Sequence, residues 1–70
     1  MWAEGTVNGY ECWVKHYWEG SEYGIDGGRI SKLTIRKDGK EIYNYDRGLE
    51  FDNLDANGKE VYAKLLKQYN

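Results

Sequence analysis

Two short turn dipeptides constrain the fold of this chain more than any other feature. Asn8-Gly9 and Asp38-Gly39 each stand between segments rich in β-branched and aromatic residues. Both dipeptides accept the positive φ angles of a two-residue hairpin turn, so each predicts a β-hairpin. Because a turn of fixed length also determines which residues face each other, the sequence predicts the two faces of the sheet as well.

The first hairpin joins residues 2–7 to residues 10–18. On one face its register predicts three pairs of mostly small and apolar side chains: Val7 with Tyr10, Gly5 with Cys12, and Ala3 with Val14. A sheet face of this kind can pack against a helix. The alternation of the strand predicts that His16 lies on the same face. The opposite face carries Trp2, Glu4, Thr6, Glu11, Trp13, Lys15 and Tyr17.

The second hairpin joins residues 29–37 to residues 40–47. Its turn predicts that Ile35 faces Ile42 and that Leu33 faces Asn44 on the side that joins the core. The other side then holds four pairs, namely Thr34 with Tyr43, Lys32 with Tyr45, Arg36 with Glu41, and Ile30 with Arg47. This register places Tyr43 and Tyr45 beside cations on a face turned away from the core.

A helical period replaces the alternation from Asp52 onward. Leu54, Val61 and Leu65 form one stripe, with Tyr62, Leu66 and Tyr69 beside it, and Asp52 or Asp55 can cap the helix start. One helix covers only one face of a sheet. The sequence therefore predicts a single α+β domain over residues 1–70: an antiparallel four-stranded sheet of two hairpins, with one C-terminal helix on one face (β-β-β-β-α). The expected core is Val14, Leu33, Ile35, Ile42 and Leu65.

Composition excludes several kinds of site. Cys12 and His16 are the only cysteine and the only histidine, so neither an internal disulfide nor a closed zinc site can form. They stand four positions apart on one strand, roughly 13 Å at the strand rise, which is too far for a nucleophile and its base. The acidic residues Asp46, Glu50, Asp52 and Asp55 lack the spacing of a calcium loop. We expect no metal and no cofactor.

Charge and hydropathy limit the partners. A net charge of −2 argues against binding to long nucleic acids, and no apolar run approaches the length of a membrane span. The N-terminal residues do not resemble a signal peptide, so a cytoplasmic protein is expected. A chain of 70 residues can bury only a small core, and this one has no disulfide or structural metal to supplement it. These two features favour a homo-oligomer.

The face without a helix and the glycine-rich loop at residues 19–28 are the candidate binding features. Aromatic rings, cations and glycine backbone N–H groups suit a nucleotide-like ligand. Arginine and lysine would hold phosphate, aromatic rings would stack, and residues 21–28 would close over the ligand. The candidate ligand-binding residues are Trp13, Tyr17, Ser21, Tyr23, Gly27, Gly28, Arg29, Lys32, Arg36, Tyr43, Tyr45 and Arg47. The same rings also suit the core of a homodimer or a surface for another protein, and the loop also suits a plain crossover between strands.

Three segments carry a family resemblance: residues 20–33 (GSEYGIDGGRISKL), 35–40 (IRKDGK) and 44–48 (NYDRG). In these segments the chain resembles a family of uncharacterised small proteins of phages and Gram-positive bacteria. The resemblance brings no catalytic motif. It implies a viral or mobile-element setting, where small proteins often counter host defence, in some cases by sequestering cyclic dinucleotides or ADP-ribose derivatives.

By that analogy we expect a non-enzymatic phage-type anti-defence protein that sequesters a nucleotide-derived immune signal in the host bacterial cytoplasm. The alternative is an inhibitor that binds a host defence protein directly. A phosphodiesterase-like enzyme is disfavoured, because the only histidine has the alternation of the covered face.

Overall fold

The computed structural model describes all 70 residues. The chain forms a five-stranded antiparallel sheet and one C-terminal helix. The strands follow chain order across the sheet: β1 (Trp2–Val7), β2 (Tyr10–His16), β3 (Ile30–Lys37), β4 (Lys40–Asp46) and β5 (Leu49–Asp52). A short 3-10 turn covers Ile25–Gly27, and the helix α1 covers Ala56–Tyr69. The α+β class is confirmed, whereas the predicted number of four strands is wrong.

The additional strand, β5, follows a turn at Arg47-Gly48. Arg47 adopts a φ of 56°, a left-handed conformation that is uncommon for arginine, so this turn lacks the usual asparagine or aspartate signal. The strand is only four residues long and half of it is acidic. A short segment of this composition is easily mistaken for the approach to a helix. It pairs with β4 through Tyr45 with Leu49, Asn44 with Phe51, and Tyr43 with Asp52.

The first hairpin has the predicted register along its whole length. Val7 pairs with Tyr10, Gly5 with Cys12, and Ala3 with Val14. Its turn uses positive φ angles at Asn8 and Gly9, of 50° and 82°. The regular turn therefore sets the faces of β1 and β2 without interruption.

The second hairpin departs from the predicted register at a β-bulge. Next to the turn, Lys37 pairs with Lys40 and Arg36 pairs with Glu41, as expected. Ile35 then pairs with Tyr43, which leaves Ile42 as the extra residue of the bulge. The shift reverses the faces of the rest of β4, so the prediction that Tyr43 and Tyr45 lie on the open side is wrong. Burial of the Tyr43 ring, which lies 5.1 Å from the Tyr62 ring, accompanies this shift.

The core lies between the sheet and α1. Its most buried side chains, each under 2% exposed, are Val14, Ile30, Leu33, Ile35 and Val61. Leu65 joins them, whereas Ile42 is only half-buried because it occupies the bulge. Val61 and Leu65 confirm the predicted helix stripe, whereas Leu54 precedes the helix and is only partly buried against the core.

Asp55 caps the start of α1, one of the two predicted caps. Its carboxylate accepts hydrogen bonds from the Gly58 amide and from the Tyr10 hydroxyl, each at 2.7 Å. These two contacts lower the pKa of Asp55, and the same hydrogen bond raises the pKa of Tyr10 to about 12. The cap thus ties the helix start to the first residue of β2.

No helix in the structure has the length and apolar character needed to cross a membrane.

Candidate ligand-binding site

The side of the sheet opposite α1, here called the open face, is organised in three cross-strand rows. Direct pairing places neighbouring members of a row on the same side of the sheet. The first row is Trp2, Lys15, Lys32 and Asp46. The second is Glu4, Trp13, Thr34, Asn44 and Phe51, and the third is Thr6, Glu11, Arg36 and Glu41. Cations and aromatic rings are therefore interleaved on one surface.

Cations lie beside the aromatic rings of the open face. The Lys15 ammonium is 5.7 Å from the centre of the Trp2 ring and 5.8 Å from that of Tyr17. The Arg36 guanidinium is 5.5 Å from the Trp13 ring. All three distances suit cation–π attraction, which limits the freedom of these long side chains.

A cleft of about 420 Å³ opens at the end of the open face, beside the first row. We call it the cationic cleft. Three cations and one carboxylate are among its eight lining residues, which are Lys15, Tyr17, Glu19, Ser21, Tyr23, Ser31, Lys32 and Arg47. Asp46 stands at its margin, 3.7 Å from the Lys32 ammonium and 3.5 Å from Nε of Arg47. The cleft is thus a cationic, hydroxyl-rich site that suits an anion.

Tyr17 shows the electrostatic character of this cleft. Hydrogen bonding to Lys15 lowers the pKa of the Tyr17 phenol, and the charges of Lys15 and Lys32 act in the same direction. The side chain is 45% exposed, so it remains accessible to a ligand. Its backbone N–H donates to the Arg29 carbonyl at 3.0 Å, which fixes the chain where it leaves β2.

The structure brings five of the predicted ligand-binding residues together in the cleft: Tyr17, Ser21, Tyr23, Lys32 and Arg47. Trp13 and Arg36 lie farther along the open face, in contact with each other. Lys15 and Ser31 also line the cleft and are not among the predicted ligand-binding residues. The alternation of the first hairpin, which places Lys15 and Trp13 on one face, was the signal that could have found Lys15.

The two tyrosines of β4 lie elsewhere. Tyr43 is 3% exposed in the core, and Tyr45 packs against the same core. The Tyr45 hydroxyl donates to the Tyr23 carbonyl at 2.9 Å. Tyr45 therefore supports the wall of the cleft from the covered side, and neither ring is placed to stack on a ligand at the open face.

The glycine-rich loop also differs from the expected lid. Ile25 anchors it in the core, and the Asn70 side chain donates to the Ile25 carbonyl at 3.0 Å. Gly28 lies so close to Asn70 that a Cβ there would collide with the amide. The segment with Gly27, Gly28 and Arg29 is thus held at the end of α1, and none of the three lines the cleft. Only the Ser21 and Tyr23 end of the loop does so.

Comparison with protein families gives one result. A family model described as a domain of unknown function (DUF7678) matches residues 1–70. The chain belongs to this family. No curated protein matches the chain, and no solved structure matches it.

The single histidine and the single cysteine of this family member lie away from the cleft. His16 packs its ring 4.8 Å from the Tyr69 ring, on the helix side, and burial lowers its pKa. Cys12 is 3% exposed, and burial raises the pKa of its thiol. The structure contains no cluster of three or more histidine, cysteine, aspartate or glutamate residues that could hold a metal ion.

Proposed function

We propose that the chain binds a nucleotide-derived small molecule in the cationic cleft, with its phosphate held by Lys15, Lys32 and Arg47. The observation that carries this proposal is the convergence of three cations and two tyrosines on one accessible cleft of about 420 Å³. Ammonium and guanidinium groups form strong, charge-assisted hydrogen bonds with phosphate oxygens. The tyrosines offer ring surface for the remainder of the ligand.

The ion pairs at the margin are compatible with anion binding. Asp46 contacts Lys32 and Arg47 at 3.7 and 3.5 Å, and all three side chains are partly or largely exposed. Exposed pairs of this kind contribute little to stability, so a phosphate can replace the carboxylate at low cost. Asp46 would then act as a weak competitor that keeps both cations near the cleft.

The proposed activity is sequestration without cleavage. Phosphodiester hydrolysis commonly uses a histidine base or a metal ion. His16 packs against Tyr69 on the opposite side of the sheet from the cleft. The resemblance to small phage proteins supplies the proposed setting: an anti-defence protein in the bacterial cytoplasm whose ligand is a cyclic dinucleotide or an ADP-ribose derivative. The covering family model describes no function.

Calorimetry with cyclic dinucleotides, ADP-ribose and mononucleotides tests the proposal. We expect Lys32→Gln and Arg47→Asn each to weaken binding by about tenfold or more, the effect of losing one charge-assisted contact. Asparagine tolerates the left-handed backbone of residue 47, so the turn is kept. Lys40→Gln, at the tip of the second hairpin, removes an equal charge outside the cleft and serves as the control.

Binding should also weaken as salt concentration rises, because the contacts are between exposed charges. Equal affinities for all four proteins, or no heat with any of these ligands, would contradict the proposal.

A second candidate function is direct inhibition of a host protein. The observation that favours it is the exposure of Trp18 at 82% and of Trp2 at 61%, since large exposed rings often anchor protein interfaces. Co-purification with one host protein, lost in Trp18→Ala but kept in Lys32→Gln, would replace the first proposal with this one.

The same exposed rings, with Leu49 at 60%, lead us to propose a homo-oligomer. Covering them against a second copy would remove apolar surface from water and supplement a thin core. Sedimentation at micromolar concentration should show a species larger than the 8.2 kDa chain. A single 8.2 kDa species would contradict oligomer formation and leave the ligand proposal standing.

A further inference from the structure

A second concavity lies on the open face beside the cationic cleft. Trp2 and Glu4 are alternate residues of β1, and Trp13 of β2 pairs directly with Glu4. The two indoles therefore flank one carboxylate. The space between them measures about 540 Å³ and is lined by Trp2, Ala3, Glu4 and Trp13, a set we call the indole slot.

Charge decides what kind of ligand suits the indole slot. Lys15 lies 5.7 Å from the Trp2 ring, and Arg36 lies 5.5 Å from the Trp13 ring. A ligand that is itself a cation would meet positive charge beside each indole. A neutral, flat ring avoids that repulsion, stacks on the indoles, and can bring N–H donors to the carboxylate, which only accepts hydrogen bonds.

We propose that the indole slot binds the guanine base of a nucleotide whose phosphate occupies the cationic cleft. This inference rests on the proposed function and specifies its ligand. The Watson–Crick edge of guanine presents two adjacent N–H donors, N1–H and the N2 amino group, which one carboxylate can accept together. Adenine presents a donor beside an unprotonated N1, which the Glu4 carboxylate would repel.

Lys15 connects the two parts of the site. Its ammonium lies at nearly equal distances from the Trp2 ring of the slot and the Tyr17 ring of the cleft, at 5.7 and 5.8 Å. It also lines the cleft beside Lys32. A phosphate bound at Lys15 and Lys32 therefore lies next to the slot, so one nucleotide can reach both.

The experiment compares GMP, AMP and guanosine in calorimetry with the parent protein, Glu4→Gln and Glu60→Gln. We expect GMP to bind the parent about tenfold more tightly than AMP, the effect of one additional hydrogen bond to a charged group. Glu4→Gln should remove this preference, because it weakens the hydrogen bonding to guanine and relieves the repulsion of adenine N1. Glu60 is exposed on α1, so Glu60→Gln makes the same charge change on the other side of the sheet and should behave like the parent.

Each other outcome overturns a distinct claim. Equal binding of GMP and AMP, unaffected by Glu4→Gln, overturns the guanine assignment and leaves phosphate binding intact. Guanosine that binds as tightly as GMP supports the slot and overturns the role of the cleft. If none of the three ligands binds, and inorganic phosphate and cyclic di-GMP also give no heat, both the guanine assignment and phosphate binding in the cleft are overturned.

Discussion

The two faces of the sheet are built from alternate residues of the same strands, yet they differ in almost every physical property. On the covered face, Leu33 and Ile35 are fully buried and Tyr43 is 3% exposed beneath α1. On the open face, the neighbouring positions Lys32 and Thr34 are only half-buried. Stability is thus concentrated on one set of alternate residues and candidate ligand contacts on the other. Substitutions on the two sets should have separable effects.

The largest expected effect concerns Tyr43, whose face the bulge determines. Tyr43→Ala should cost about 3–5 kcal/mol of unfolding free energy, since it removes a buried aromatic ring packed against Tyr62. Tyr17→Ala deletes the same atoms from a side chain that is 45% exposed and should change stability far less. Urea unfolding of both variants measures the difference. Similar losses would place the two rings in similar environments and contradict the assignment of faces.

A smaller difference in stability tests the bulge directly, because it compares isoleucine at two positions on adjacent strands. Ile35→Ala should cost about 2–5 kcal/mol because the side chain is fully buried. Ile42→Ala should cost clearly less, since the bulge leaves Ile42 half-buried. Thermal or urea unfolding distinguishes the two. A regular hairpin, in which Ile35 faces Ile42 in the core, would instead give equal losses.

The smallest effect concerns the helix cap and depends on pH. The Tyr10 hydroxyl and the Gly58 amide lower the pKa of Asp55 below its usual value of 3.8. Because the folded pKa is lower than the unfolded one, this contribution is present above the unfolded pKa and is lost as pH falls through the folded pKa. Asp55→Asn keeps a neutral acceptor but cannot titrate in this way. It should be less stable than the parent at neutral pH, and urea unfolding should show the difference shrinking below about pH 4.

The two hairpins show how much of the fold the sequence contains. Both turns are predicted correctly, and in the first hairpin the alternation runs uninterrupted to the ends of the strands. In the second, the turn determines only the two nearest pairs before Ile42 bulges out. Nothing local marks that position, because Ile42 and Tyr43 are both good core residues. Which of them pairs with Ile35 depends on the fit of Tyr43 against Tyr62, a contact between residues far apart in the chain.

The same difference between regular and bulged strands decides which residues of the candidate site the sequence predicts correctly. Tyr17 and Lys32 could be assigned to the open face because β2 alternates regularly through Lys15, which pairs directly with Lys32 before the irregularity at Ser31. Tyr43 and Tyr45 could not, because the bulge reversed their faces. The sequence does not show that the glycine-rich loop is anchored, because the hydrogen bond from Asn70 to the Ile25 carbonyl joins residues 45 positions apart.

Mapping of ligand contacts by NMR tests the central claim most directly, namely that the open face binds and the covered face stabilises. Titration of isotope-labelled protein with GMP should shift the amide or indole resonances of Trp2, Glu4, Trp13, Lys15, Tyr17 and Lys32. The amides of Val61 and Leu65, in the helix that packs on the covered face, should stay unchanged. Shifts concentrated on α1 and the covered side of the sheet, with the indole slot and the cationic cleft unaffected, would contradict the account.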